Sequence, residues 1–209
     1  QQFVRQIPMY WGDQTFVGAP AYIGATVVFL FVLALFMVKG RLKYWIVAGV
    51  LLSLFLSWGK NLEFLTRFFI DYVPLYDKFR AVSTTQTILR LCIPILAVFG
   101  LVQIFNKKVR EEDKLNALKY STAIVGGLTL IFILFKNAIL DFVSPYDSLI
   151  IEEMGVDFVK AVREDRASLL MGDAIRSLIF VLLVAGLLLG YLKNKVAENL
   201  LVAGLFILI

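Results

Sequence analysis

Lys78 and Arg80 stand two positions apart, with Tyr76 and Asp77 beside them, in the run Asp71-Tyr72-Val73-Pro74-Leu75-Tyr76-Asp77-Lys78-Phe79-Arg80. The run leads directly into Ser83-Thr84-Thr85-Gln86. Ser83 and Gln86 have the spacing of a capping box, which predicts a helix that begins just after the basic pair. A helix N-terminus offers unpaired N–H groups and partial positive charge, and a neighbouring guanidinium adds a planar fork of donors, so this is a place to hold a phosphate. The plainer alternative is that Lys78 and Arg80 snorkel at a membrane surface while Asp77 pairs with one of them.

Arg90 lies about two turns into the same predicted helix, roughly 10 Å beyond Ser83. An arginine at the centre of a membrane helix costs about 2.5–3.5 kcal/mol on insertion scales, so it is expected to face protein or water instead of lipid. Ser83, Gln86 or Thr87, Arg90 and Pro94 recur at helical spacing and make one polar stripe. The stripe predicts a water-accessible cavity open to the outside, the alternative being a structural ion pair inside the bundle. Asp173 and Arg176, following Asp165 and Arg166, form an (i, i+3) acid and base pair of the kind that secures a helix end. Asp13, in Trp11-Gly12-Asp13, could belong to a binding loop, although Trp at an interface is expected in any case.

The elements that must position these residues are apolar. Of 209 residues 60% are hydrophobic and 18% charged, and long apolar runs are broken by short clusters of Lys and Arg. The expected fold is all-α: a polytopic transmembrane bundle, a single domain over residues 1–209, with about six spans near 20–38, 42–58, 83–105, 120–135, 174–192 and 200–209. Gln1 is no initiator and Ile209 falls within an apolar run, so the chain is expected to be a piece of a longer protein. Lys39, Arg41 and Lys43, then Lys107, Lys108, Arg110, Lys114 and Lys119, then Lys193 and Lys195 mark three cytoplasmic connections. Residues 1–19, 59–82 and 137–173 then face outward. Leu62, Leu65, Phe68, Phe69 and Tyr72 fall on one helical face opposite Glu63, Thr66, Arg67 and Asp71, which predicts an amphipathic helix lying in the outer interface. The 137–173 segment shows a similar stripe in Leu149, Ile150, Met154, Phe158 and Val162. Gly186 and Gly190, and the pair Gly126 and Gly127, are expected to let helices approach closely.

Several functions are excluded or disfavoured by composition. There is no histidine, which removes Ser/His/Asp and Cys/His catalysis and His-ligated zinc from this segment. Cys92 is the single cysteine, so no internal disulfide can form. The net charge of +5 is explained by membrane topology without a nucleic-acid partner.

The runs Tyr10-Trp11-Gly12-Asp13-Gln14, Trp58-Gly59-Lys60-Asn61 and Val73-Pro74-Leu75-Tyr76-Asp77-Lys78-Phe79-Arg80-Ala81-Val82-Ser83, with Asp165-Arg166, Asp173 and Arg176-Ser177, resemble the YfhO-like bacterial membrane proteins. The resemblance extends over nearly the whole chain, and its most specific part is residues 74–80. It implies a glycosyltransferase of the GT-C type in the bacterial inner membrane, moving a sugar from a polyprenyl-phosphate carrier to an envelope glycan or lipid acceptor on the outer face. It implies further that Lys78, Arg80 and Arg90 bind the carrier phosphate, that Tyr76 and Asp77 shape that pocket, and that the catalytic carboxylate lies upstream of Gln1. Some enzymes of that type use a divalent ion, but no carboxylate spacing here demands one, and no cofactor is expected. Two other classes remain open from the residues themselves: a transporter or flippase of a lipid-linked or anionic substrate, with the Arg90 stripe lining its path, and a non-catalytic membrane scaffold.

Overall fold

The structure, a computed structural model, describes residues 9–12, 22–78 and 82–209, leaving aside the side chains of Lys60, Asp77, Val82 and Ser83. Arg80 and Asp13 lie outside the described residues. All regular structure among the described residues is helical: α1 (Ala25–Met37), α2 (Arg41–Ser57), α3 (Glu63–Tyr72), α4 (Gln86–Phe105), α5 (Glu111–Ile139), α6 (Asp147–Met154), α7 (Val156–Leu192) and α8 (Glu198–Leu208). Short 3-10 turns at Gly59–Leu62, Tyr76–Lys78 and Val82–Thr85 link α2 to α3 and α3 to α4.

Among the described residues three helices, α4, α5 and α7, are long and apolar enough to cross a membrane, while α1 and α8 are apolar but shorter. Their surfaces show what solvent they suit. Only 11% of the apolar stretch of α5 is buried against the rest of the protein, an arrangement that water would penalise and hydrocarbon would not. Hydroxyls on that helix bond back to its own carbonyls, Ser121 to Ala117, Thr122 to Leu118 and Thr129 to Val125 and Gly126. These three hydroxyls are thereby satisfied within the helix, as an apolar surrounding would require.

Helix α1 is the hub. Phe29, Leu30, Leu33 and Met37 join Ala97 and Ile104 of α4, Ala117, Leu118 and Val125 of α5, and Val181, Val184 and Leu188 of α7 in one core. Among the described glycines the tightest position is Gly100, where an added Cβ would come within 2.6 Å of the Ala34 Cβ. The expected role of small residues was therefore right in kind and misplaced. Gly186 and Gly127 have open space where a Cβ would stand, Gly126 meets only the tip of Leu178, and Gly190 makes room for Val196 in the following turn.

Two expectations are corrected by helix length and start. Residues 156–173 are not a helix of their own, because α7 runs unbroken for 37 residues, about 55 Å at the standard rise and nearly twice the hydrocarbon thickness. Its apolar second half is by itself long enough for a crossing, and residues 156–173 continue the same helix. Nor does α4 start at Ser83: it begins at Gln86 with Thr85 in the N-cap position and no side-chain cap bond from Thr85. Thr85 is instead tied to α2, its carbonyl accepting from the Ser53 hydroxyl at 2.6 Å and its hydroxyl donating to the Ser53 carbonyl at 3.4 Å.

Helix α3 has no buried residue. Phe64, Phe68, Ile70 and Tyr72 are all exposed.

Candidate functional site

The expected phosphate site is built on the passage from α3 to α4. Helix α3 stops at Tyr72, and the Tyr76 N–H then donates to the Val73 carbonyl at 3.2 Å, closing a four-residue turn with Pro74 second and Leu75 third. Leu75 has φ +68°, so the turn is of type II, in which the third position is normally glycine. A leucine in the left-handed region costs roughly 1–2 kcal/mol, and such strain concentrates where a backbone path serves function. The turn delivers Tyr76 onto α3, its ring centroid 5.4 Å from that of Phe69. Burial there pushes the Tyr76 hydroxyl above its usual pKa, so the phenol stays neutral and able to donate. Lys78, at the end of the following 3-10 turn, is exposed.

Arg90 comes just over one turn into α4, since the stretch before Gln86 is 3-10 and not α-helix. Its side chain is exposed, as the expected opening to the outside requires, and makes no ion pair with a described carboxylate. Gln86 and Pro94 are half-buried, and Thr87 is exposed. Asp173 and Arg176 approach to 3.5 Å with both side chains largely exposed, a surface pair of small energetic weight.

Sequence reasoning missed a buried ion cluster on α6 and α7. Asp147, 3% exposed, accepts from Arg166 and from Arg163, each at 2.9 Å, and from the Ser144 N–H at 3.3 Å. Arg166, 1% exposed, also donates to the Phe142 carbonyl at 2.9 Å. Burial alone would push the Asp147 carboxyl up, but the two guanidinium groups and the Ser144 amide outweigh it and hold the carboxyl below its usual range. Phe142 has φ +56° and is pinned by Arg166 on its carbonyl and by Trp11 edge-on at 5.1 Å. Gly12 donates to the Val143 carbonyl at 2.9 Å, so the Trp11-Gly12 segment serves this knot. Arg163 and Arg166 share one helix face, a legible signal, but their partner lies across the α6–α7 turn.

Among the described residues no group of three or more Asp, Glu, Cys or His could hold a metal ion. No family model matches the chain, and no curated protein or solved structure is detectably similar to it. Lys78 and Arg90 are both exposed cations, of a chemical type that pairs with carboxylate or phosphate.

Proposed function

We propose that this chain is the carrier-binding part of a six-pass membrane glycosyltransferase, with α1, α2 and α8 crossing alongside α4, α5 and α7. It acts on a polyprenyl-phosphate-linked sugar at the outer face of a bacterial inner membrane. The sugar's anomeric carbon passes to a hydroxyl of an envelope glycan or lipid, and the carrier phosphate leaves with its negative charge held by Arg90, Lys78 and Arg80. The base that takes the acceptor proton is assigned to none of these residues.

The observation that carries the reading is Arg90: a permanent cation one turn inside an apolar helix, exposed, and paired with no described carboxylate. A charge at that depth is expensive unless something answers it, and a lipid phosphate at the interface does so with bidentate geometry. The lipid-facing α3 and the strained Pro74-Leu75 turn beside it support a site that receives a substrate from the bilayer. Polyprenyl chemistry rests on the resemblance of residues 74–80 to the YfhO-like proteins.

The test is turnover by the full-length protein, supplied with a radiolabelled polyprenyl-phosphate sugar and envelope acceptors. Labelled glycoside should form, and Arg80→Ala with Arg90→Ala should abolish it. Undiminished product in that double variant would remove the site, and passage of the lipid between leaflets without glycoside would make the protein a transporter.

A further inference from the structure

We infer that a second anion site, independent of the one above, lies at the opposite end of the bundle and takes the phosphate head group of an anionic phospholipid. Its cause is the shortness of α1. That helix has 13 residues, about 20 Å, whereas its neighbours α4 and α5 have 20 and 29, about 30 and 44 Å. Where α1 stops at Met37, the end of α4 and the start of α5 flank an unfilled cavity of about 620 Å³, within the roughly 300–1,000 Å³ common for small-ligand sites.

The lining is divided by chemistry. Lys39, at the turn after α1, and Lys108 and Arg110, in the α4–α5 connection, edge the cavity, with Gln103 and Tyr120 on its helical walls. Arg110 is committed to Asp113 by two hydrogen bonds of 3.0 and 2.8 Å. Lys39 and Lys108 make no ion pair with a described carboxylate, so the cavity keeps net positive charge. The loop that carries Lys108 is held in place: Asn106 donates to the Gln103 side-chain oxygen at 3.2 Å and accepts from the Lys108 N–H at 3.0 Å. On the apolar side Phe36 and Tyr120, both exposed, stand with ring centroids 5.8 Å apart. A free phosphate would use the lysines and ignore those rings. A phospholipid uses both, with its phosphate between Lys39 and Lys108 and its acyl chains along Phe36 and Tyr120. Basic pockets between membrane helices on the cytoplasmic side bind anionic head groups in this way.

The purified full chain is titrated with short-chain phosphatidylglycerol, phosphatidylcholine and inorganic phosphate, and bound ligand is counted by native mass spectrometry. Phosphatidylglycerol should bind one per chain in preference to phosphatidylcholine. Lys39→Gln with Lys108→Gln should weaken it roughly 25-fold, about fivefold per lysine, while Lys43→Gln with Lys195→Gln at the same end leaves it within twofold. Asn116→Trp, which fills the cavity and keeps every charge, should also abolish binding, and thermal unfolding confirms that each variant is folded. Equal losses in both lysine pairs, undiminished binding in Asn116→Trp, or no preference for phosphatidylglycerol would each overturn the site. Inorganic phosphate binding as tightly as the lipid would overturn the lipid assignment.

Discussion

Arg166 on α7 is 1% exposed and donates to Asp147 and to the Phe142 carbonyl, both at 2.9 Å. Arg90 on α4 is exposed and has no described carboxylate beside it. By the order of the helices both belong to the same end of the bundle. The fold has used one charge to fasten a loop to a helix and left the other facing outward at the edge of an apolar surface. A buried guanidinium with matched acceptors is committed to structure, because removing any acceptor strands a charge. An exposed one within an apolar helix has no such acceptors among the described carboxylates, and that difference, more than basic character, is what the proposed function rests on.

The comparison predicts its own failures. Asp147→Ala should be the most damaging single change, costing about 3–5 kcal/mol in reversible unfolding followed by circular dichroism in detergent, because it leaves Arg166 buried without its counter-charge. Combining it with Arg166→Met should recover part of the loss, and a double variant no better than the single would show that the ion pair is not what fastens α6 to α7. Next in size is Gly100→Val, expected to cost about 1–3 kcal/mol by overpacking, since its Cβ would fall against Ala34 and push α4, and Arg90 with it, away from α1.

Acid should act on one of the two arginines only. The Asp147 carboxyl is depressed in the folded protein, so its contribution is complete above the unfolded value of about 3.9 and is lost as pH falls through the lower folded value. The unfolding midpoint should drop below about pH 4 in the wild type, and the drop should be shallower in Asp147→Asn. The smallest effect is expected at the strained turn: Leu75→Gly should raise stability by up to about 1 kcal/mol as the left-handed penalty disappears. Lower stability in Leu75→Gly would mean that the leucine side chain, not the backbone path, is what the turn preserves.

What could be read from sequence followed from periodicity and local spacing. The apolar runs marked the helices that became α1, α2, α4, α5, α7 and α8, and the stripe of Leu65, Phe68, Phe69 and Tyr72 marked α3, because both signals reside within one element. The end of the fourth predicted run at residue 135 coincides with a break in α5, where Phe135 leaves helical geometry at φ −117°. Pairings across elements were not legible. Asp147 meets Arg163 and Arg166 only because α6 folds back on α7, and the head of α4 was misread because the Ser53–Thr85 bonds to α2 replace a local cap. Small residues announced close packing, but only tertiary placement decides that Gly100, and not Gly186, receives a neighbour. Of the expected phosphate site, Tyr76, Lys78 and Arg90 can be located, while Arg80 lies outside the described residues.

The most direct measurement is the affinity of polyprenyl phosphate for the protein in nanodiscs, wild type against Arg90→Gln, with the unfolding midpoint recorded alongside. If Arg90 is held for a ligand, affinity should fall at least tenfold while stability stays within about 0.5 kcal/mol, as for an exposed residue with no structural duty. Unchanged affinity in a folded Arg90→Gln protein would contradict the account, and so would a variant that loses stability as Asp147→Ala does.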